Sequence, residues 1–335
     1  MRYKIQSTRF LSSKLVDAWK RMEQQESVPS FLYYDYMKFV VRQTIYLQLW
    51  KPIFYYAVDE HDCIVMIAPM KKHLFSGEID SLGNITMCDI TDFLYDECIL
   101  EDEKKTILSL LCDFIGKPFT LSRFLKDSKT LSALEGKVKL YSTWDCVNIK
   151  FGSSFDDYFK GLRPNVRQNV RTAYNRIERD GLKMEFSFYV NPQNVPKQIK
   201  RELEHCYLKR QMETYASSWL NSIRRYIVIR FLRHDHFSLN SNENAVLGAL
   251  YLNGNVAGMF GGILDKKSMT VSIPRLAIDY NYKFYSPGYV MIIETIKYCI
   301  DNNTVRNLDL CRGTEKYKTD LGGAIYSSAF VRINE

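Results

Sequence analysis

The feature that most constrains the fold is one long run of alternating elements, residues 245–311. It contains three β-strand patterns joined by short Asn-Gly-Asn and Asp-Lys-Lys turns, then a helix that begins at Pro287-Gly288, then a buried strand, VRNLDLC. Hairpins that alternate with helices in this way need sheets with helices packed on them, which a helical bundle does not provide. The predicted fold class is therefore α/β, of the α+β kind with mixed sheets.

The N-terminal half has a similar order of elements. It reads as a helix near 12–25, a hairpin within 53–72, an amphipathic helix at 101–116 and a strand at 117–124. A chain of 335 residues is also too long for a typical single core. We therefore predict two domains, 1–145 and 146–335, with the main site in the second.

The net charge of +8 is unevenly distributed along the chain. Residues 1–145 contain 19 Lys/Arg and 20 Asp/Glu, a net charge of −1, whereas residues 146–335 contain 27 and 18, a net charge of +9. This excess favours an anionic ligand or surface in the C-terminal half. A solvated basic surface without a ligand explains the same numbers.

Several classes of protein are disfavoured by what the sequence lacks. The eight cysteines have no CxxC spacing and lie in apolar settings, which suits reduced core thiols rather than a zinc ribbon or a redox motif. The N-terminus has no apolar signal-peptide core, and no apolar stretch reaches 18 residues. His234 and His236 lack a third metal ligand at suitable spacing. We expect a cytoplasmic protein with no metal and no transmembrane segment.

The segment GLRPNVRQNVRTAYNRIERDG, residues 161–181, predicts a helix with two distinct faces. Its core-facing positions lie within about 80° of one another on a helical wheel: Val166, Val170, Tyr174 and Ile177. Three arginines follow one edge of that stripe at four-residue spacing: Arg163, Arg167 and Arg171. Arg176 falls on the solvent side. A row at the rim of a cleft can pair with phosphate or carboxylate, although ordinary surface arginines give the same pattern.

A polar cluster follows the strand VRNLDLC: Asp309, Arg312, Glu315, Tyr317 and Lys318. Polar groups at the end of a parallel-type strand are a common site arrangement in α/β folds. The helix start at Pro287-Gly288 also offers backbone N–H groups to a phosphate. A salt-bridged turn over 312–318 is the alternative interpretation. The sequence has no GxSxG elbow, Walker A loop or full dinucleotide fingerprint, so a covalent nucleophile is unsupported.

Residues 155–181 and 286–322 together resemble the GNAT acyltransferases associated with cellulose and polysaccharide biosynthesis, which are similar to the Fem-type peptidyltransferases. The shared pattern includes the arginine helix, the Pro-Gly helix start and a terminal Asp-Leu-x-x-Gly-x-Glu-x-Tyr-Lys. That last motif is complete here: Asp309, Leu310, Gly313, Glu315, Tyr317 and Lys318. The N-terminal half matches only in element order and in CDITDFLYD, residues 88–96. The resemblance implies tandem GNAT-like domains, with acyl-CoA bound mainly by the second.

The resemblance also implies a reaction. It is the direct attack of an acceptor amine or hydroxyl on the thioester of acetyl-CoA or another acyl-CoA, with a sugar or cell-surface polysaccharide precursor as the expected acceptor. Tyr317 is the candidate general acid for the leaving thiolate, and Asp309 or Glu315 the candidate base. Lys318 and Arg312 would hold an anionic substrate or offset developing charge.

Binding roles follow from the same resemblance. Backbone N–H groups of the helix start would hold the pyrophosphate of CoA, in the segment Pro287, Gly288, Tyr289 and Val290. The arginine row would hold phosphates of CoA or of a nucleotide-linked sugar: Arg163, Arg167 and Arg171. The strand VSIPRLAID would donate to the thioester carbonyl. The sequence departs from the GNAT glycine pattern here, because only Gly288 remains of it.

Two alternatives stay open at this point. Fem-type relatives use aminoacyl-tRNA, so an aminoacyl-tRNA-dependent peptidyltransferase is the second hypothesis, although the coiled-coil arm common in that group has no heptad counterpart here. A non-catalytic GNAT-fold module is the third. Other nucleic-acid binding is disfavoured, because zinc-finger spacing, an RNP motif and a basic zipper are all missing from the sequence.

Overall fold

The structure is a computed structural model that describes residues 2–47, 49–83, 88–215, 219–230 and 243–334. Its helices are α1 (Ser13–Met22), α2 (Tyr34–Leu47), α3 (Glu101–Ile115), α4 (Lys129–Ala133), α5 (Phe155–Gly161), α6 (Pro164–Arg179), α7 (Lys197–Tyr215), α8 (Trp219–Arg230), α9 (Pro287–Asp301) and α10 (Lys316–Asp320). Histidines 234 and 236, weighed above as metal ligands, lie outside the described residues, as do both ends of a helix expected at 217–233.

The strands follow the predicted alternation with helices. They are β1 (Lys4–Thr8), β2 (Trp50–Val58), β3 (Ile64–His73), β4 (Ile79–Ser81), β5 (Leu94–Tyr95), β6 (Phe119–Leu125), β7 (Val138–Lys150), β8 (Met184–Val190), β9 (Ala245–Leu252), β10 (Asn255–Asp265), β11 (Thr270–Ile278), β12 (Asn307–Arg312) and β13 (Ala324–Ile333). The predicted α/β class with mixed sheets is confirmed.

The chain forms two compact units, Met1–Asp145 with Ser327–Glu335, and Cys146–Tyr326. The last nine residues therefore lie in the first unit, whereas the sequence-based division assigned them to the second domain. The reason is the pairing of β13, which runs antiparallel to β6 from Ser328↔Leu125 to Ile333↔Phe119. Partners in this ladder are some two hundred residues apart, so no local pattern could indicate it.

In the first unit, β1 to β4 form an antiparallel sheet in chain order, and β5 adds to β3. The predicted hairpin is present as β2 and β3, with Ile53 opposite Met70. The predicted amphipathic helix is α3, and Gly116 ends it in the left-handed region at φ 65°. Cys63 and Cys98 are exposed, so the expectation of buried thiols holds for six of the eight cysteines.

In the second unit, the strand order is β7-β12-β11-β10-β9-β8. Among the strands that the structure describes in this unit, only β11 and β12 are parallel, joined by α9, and the other neighbours are antiparallel. Helices α6 and α9 contribute apolar residues to one large core with this sheet, and α7 contributes to a second apolar cluster with β9 and β10. The parallel pair brings the ends of β11 and β12, and the start of α9, to one edge of the sheet.

Candidate functional site

The pairing of β11 and β12 is short, from Thr270↔Asn307 to Ser272↔Asp309. Strand β11 then continues to Ile278, and β12 to Arg312, without further pairing to each other among the described residues. A parallel pair that stops pairing before its strands end leaves backbone groups of both strands available at that edge. The predicted polar cluster lies where β12 ends.

Asp309 is buried at the end of this pairing. Its carboxylate accepts hydrogen bonds from the backbone N–H of Cys311 at 2.8 Å and from the hydroxyl of Tyr326 at 2.7 Å. Cys311 has a left-handed φ of 54°, at an irregularity in the β7–β12 ladder. Burial raises the pKa of Tyr326 far above its usual value, so that phenol remains a donor to the carboxylate. Asp309 therefore holds the bulged end of β12 in shape.

Lys318 is buried, and its ammonium group donates hydrogen bonds to backbone carbonyl groups at the end of β12 and in the loop that follows it. The Nζ donates to the carbonyls of Leu310 at 2.9 Å, Arg312 at 2.8 Å and Gly313 at 3.2 Å. It also forms an ion pair with Glu315 at 3.0 Å. The alternative expected from sequence, a salt-bridged turn, is thus present. The Glu315 side chain itself remains 59% exposed.

A second group of side chains, which we call the Asp320 cluster, consists of Arg163, Tyr289, Tyr317 and Asp320. The buried Asp320 carboxylate accepts from Arg163 at 2.5 Å and from the Tyr289 hydroxyl at 2.9 Å. The Tyr289 and Tyr317 rings are in edge contact at 6.1 Å. The structure therefore brings together one predicted residue from each group: substrate-binding, cofactor-binding and catalytic.

The phenols of the Asp320 cluster are held neutral. Burial and the hydrogen bond to Asp320 raise the pKa of Tyr289 to about 12. Burial, and then the charge of Glu315, raise the pKa of Tyr317 above its usual range. Both hydroxyls therefore keep their protons near neutral pH. Asp320 lies outside the sequence motif, which ends two residues earlier at Lys318, so no role is predicted for it.

The start of α9 offers fewer free donors than predicted. Ser286 precedes it in the left-handed region at φ 51°, and the N–H groups of Tyr289 and Val290 both donate to the Ser286 carbonyl, at 3.0 and 3.2 Å. Pro287 has no N–H group, which leaves the Gly288 N–H of this segment. A side chain on Gly288 would have room, since its nearest neighbour would be an Ile278 methyl group at 3.8 Å.

The arginine row of α6 does not converge on one ligand-sized space. Ser154 caps α5, and Pro164 begins α6 directly after it, with Arg163 as the N-terminal cap. Arg163 belongs to the Asp320 cluster, whereas Arg167 donates to the Lys160 carbonyl at 3.2 Å. Arg171 lies 5.7 Å from the Phe159 ring, at a pocket of 240 Å³ lined also by Phe155, Tyr174 and Lys297.

The core-facing stripe of α6 is confirmed, since Val166, Val170 and Ile177 are buried. The solvent-side placement of Arg176 is wrong. Its guanidinium donates to the Phe284 carbonyl at 2.8 Å and lies 4.4 Å from the Phe284 ring. The short 3₁₀ segment Tyr280–Tyr285 packs against α6 on that side, and a helical wheel contains no information about such a neighbour.

Sequence reasoning missed a cleft of 570 Å³ beside α7. It is lined by the basic residues Arg201, His205 and Lys209, by the turn between β9 and β10, and by the segment after β11 that includes Asp279. Lys209 and Asp279 form an ion pair at 2.8 Å. The available signal was the four-residue spacing of the three basic residues, the same spacing that drew attention to α6.

Two further findings concern the described residues as a whole. In those ranges, no group of three His, Cys, Asp or Glu side chains could hold a metal ion. No described helix is both long and apolar enough to cross a bilayer.

Comparison with known proteins identifies the fold. Residues 164–319 match the family model described as an acetyltransferase (GNAT) domain. The C-terminal domain of a putative lysylphosphatidylglycerol synthetase from Agrobacterium fabrum is similar in structure at 10% identity, with a TM-score of 0.58, over 96% of this chain and 91% of that one. This protein has the GNAT fold.

Two more solved structures share the architecture. One is L-PGS from Bacillus licheniformis, at 8% identity and a TM-score of 0.51, over 90% of this chain and 92% of that one. The other is a tandem GNAT protein from the clavulanic acid biosynthesis pathway, at 7% identity and a TM-score of 0.50, over 98% of both chains. The predicted tandem GNAT-like fold is confirmed. No curated protein sequence matches the chain.

Proposed function

We propose that the second unit is an acyl-CoA-dependent acyltransferase, most simply an acetyltransferase of the cytoplasm. Its acceptor is an amine or hydroxyl group of a sugar or cell-surface polysaccharide precursor, as the sequence resemblance implies. The Asp320 cluster carries this proposal. It links a protonated phenol, Tyr317, to an arginine and to the start of α9, in the part of the chain that matches the GNAT domain.

In this proposal, the acceptor oxygen or nitrogen attacks the thioester carbonyl carbon, and the carbon–sulfur bond then breaks. Tyr317 gives its proton to the departing thiolate. Glu315 is the better candidate for the base that takes the acceptor proton, because it is exposed while Asp309 is buried and already accepts two hydrogen bonds. Exposed backbone donors of β11 would face the carbonyl oxygen.

The donor phosphates would lie at the start of α9. The Gly288 N–H and the positive end of the helix favour an anion there, and Arg163 is close by through Asp320 and Tyr289. Lys318 has a positioning role in this proposal, instead of the predicted role of holding an anionic substrate. Since its ammonium group is engaged by three carbonyls, it positions the loop that carries Arg312 and Glu315.

Aminoacyl transfer from tRNA is the second candidate. One structure of the same fold carries a name that refers to lysylphosphatidylglycerol synthesis, and the net charge of +9 in the C-terminal half suits a polyanion. The chemistry at the reacting carbonyl would be the same. A non-catalytic module is the third candidate, supported by the two α9 N–H groups that are already engaged.

Calorimetric titration with acetyl-CoA, free CoA and aminoacyl-tRNA separates these candidates. We expect micromolar CoA binding, and Gly288→Asp should weaken it at least about tenfold because the new carboxylate repels the pyrophosphate. Gly288→Ala is the matched control, since its methyl group makes only an ordinary van der Waals contact with Ile278 at 3.8 Å and carries no charge. Tight tRNA binding without CoA binding would select the second candidate, and no binding of either ligand by folded protein would select the third.

A further inference from the structure

Helix α8 exposes an unusual amount of apolar surface. Trp219 is 70% exposed, Leu220 61%, Ile223 47% and Ile227 45%. At 100° per residue these positions fall within an arc of about 100°, so they form one face of the helix rather than scattered sites. Single exposed apolar residues are ordinary, but a contiguous face of this kind marks a contact surface.

The sequence of α8, WLNSIRRYIVIR, contains three arginines and no acidic residue. The half of the chain that contains it has a net charge of +9. An apolar face on a cationic helix, with a tryptophan at its end, is the composition of helices that lie in the plane of an anionic bilayer surface. Basic residues add to such binding through the negative potential of that surface.

We propose that α8 is a membrane-surface contact, by which this protein binds reversibly to bilayers that contain anionic lipid. A second copy of the chain is a poorer occupant, because two α8 helices in contact would bring two cationic segments together without an acidic residue on either helix. Such a contact is weak and depends on both the apolar face and the charge.

The two contributions can be measured on the full chain by co-sedimentation with vesicles. We expect the protein to pellet with vesicles of phosphatidylcholine containing 30% phosphatidylglycerol, and to remain in solution with pure phosphatidylcholine vesicles. Raising the salt to 0.5 M should release it, since screening weakens the electrostatic part. Equal binding to both vesicle types, or to neither, would overturn the proposal.

Variants locate the contact on α8. The double substitution Ile223→Asp and Ile227→Asp should lower the partition coefficient at least about tenfold, because it places two charges in the apolar face. Phe75→Asp is the matched control, since Phe75 is 81% exposed in the first unit and should leave binding unchanged. A thermal melt with the wild-type midpoint verifies that both variants fold.

Two outcomes with the variants would overturn the proposal. Undiminished vesicle binding by the double variant would exclude α8 as the contact. A wild-type dimer that the double variant converts to monomer, seen by light scattering in solution without lipid, would assign the face to a second copy of the chain. Neither measurement uses CoA or turnover, so the result is independent of the proposed acyl transfer.

Discussion

Each unit contains a strand followed by a short helix of five residues, β6–α4 in the first and β12–α10 in the second, and the two connections are held in opposite ways. The β6–α4 connection is held by neutral hydroxyl groups and a carboxyl group. Ser128 caps α4 by accepting from the Leu131 N–H, and Thr130 donates to the Asp92 carboxylate. In the second, the ammonium group of Lys318 binds three carbonyls.

One cleft in each unit also differs in the charge of the side chains that line it. A cleft of 530 Å³ in the first unit is lined by more acidic than basic residues: Asp92, Asp96, Glu97, Glu101, Asp127, Lys104 and Lys129. The cleft beside α7 in the second unit is lined by Arg201, His205 and Lys209, against Glu202 and Asp279. The first cleft therefore has an acidic excess while the charges of the second are balanced, so the ligand class depends on side chains and not on the fold.

The largest effect is expected at the second connection. Lys318→Met keeps the aliphatic stem but leaves the carbonyls of Leu310, Arg312 and Gly313 without their charged donor. We expect a loss of about 3 kcal/mol in the free energy of unfolding, since buried acceptors are left unsatisfied. Urea denaturation measures this. Lys316→Met is the control, since Lys316 is exposed on the same helix. An equal loss of unfolding free energy in both variants would show that the hydrogen bonds of the Lys318 ammonium group do not stabilise the fold.

A smaller, pH-dependent effect is expected at the first connection. Burial, opposed in part by the hydrogen bond from Thr130, raises the pKa of Asp92 from 3.8 to about 6. A raised carboxyl pKa stabilises the folded protein below the unfolded-state value, and that contribution is lost as the pH rises from about 4 to about 6. Wild-type stability should therefore fall by on the order of 2 kcal/mol over this range relative to Asp92→Asn.

The measurement is the urea midpoint of both proteins at half-unit steps from pH 4 to pH 7. Asparagine keeps an acceptor for Thr130, so the comparison isolates the charge. Parallel pH profiles for the two proteins would mean that Asp92 titrates normally. In that case burial would not change the pKa of Asp92, and the buried carboxyl group of the first connection would make no pH-dependent contribution to stability.

The smallest effect compares the ends of the long helices. Helix α3 ends at Gly116, with φ 65°, whereas the left-handed residue after α9 is Asn303, with φ 50°. Gly116→Ala should cost about 1 kcal/mol, because alanine is strained in this region. Asn303→Gly should change the free energy of unfolding by only about a few tenths of a kcal/mol, since asparagine tolerates the left-handed conformation. Thermal melts of the two variants measure both effects, and equal shifts in the melting temperature would contradict the prediction.

Local patterns predicted much of the fold. The apolar stripe of α6, the Pro-Gly start of α9, the β2–β3 hairpin and the C-terminal Gly116 are all signals within a few residues of the element they define. The candidate site was only partly predictable. No role is predicted for Asp320, because its importance depends on Arg163 and Tyr289, which are distant in sequence.

Long-range contacts account for what was missed. The predicted placement of 327–335 in the second domain treats the chain end as continuous with its neighbours, whereas these residues group with the first unit because β13 pairs with β6. Arg176 was placed in solvent because no helical period indicates that Phe284 covers it. The cleft at α7 had a recognisable spacing, but only the fold brings Asp279 to Lys209.

Short-range sequence was therefore sufficient for the fold class, the helix and strand order, the charge asymmetry of the two halves and the motif at the end of β12. These depend on backbone propensity, periodicity and composition, which act between neighbours. Tertiary structure decided the pairing of β13 with β6, the partners of Asp309 and Lys318, and which arginine pairs with Asp320. Burial and hydrogen bonding determine those roles, and both depend on residues brought together from distant parts of the chain.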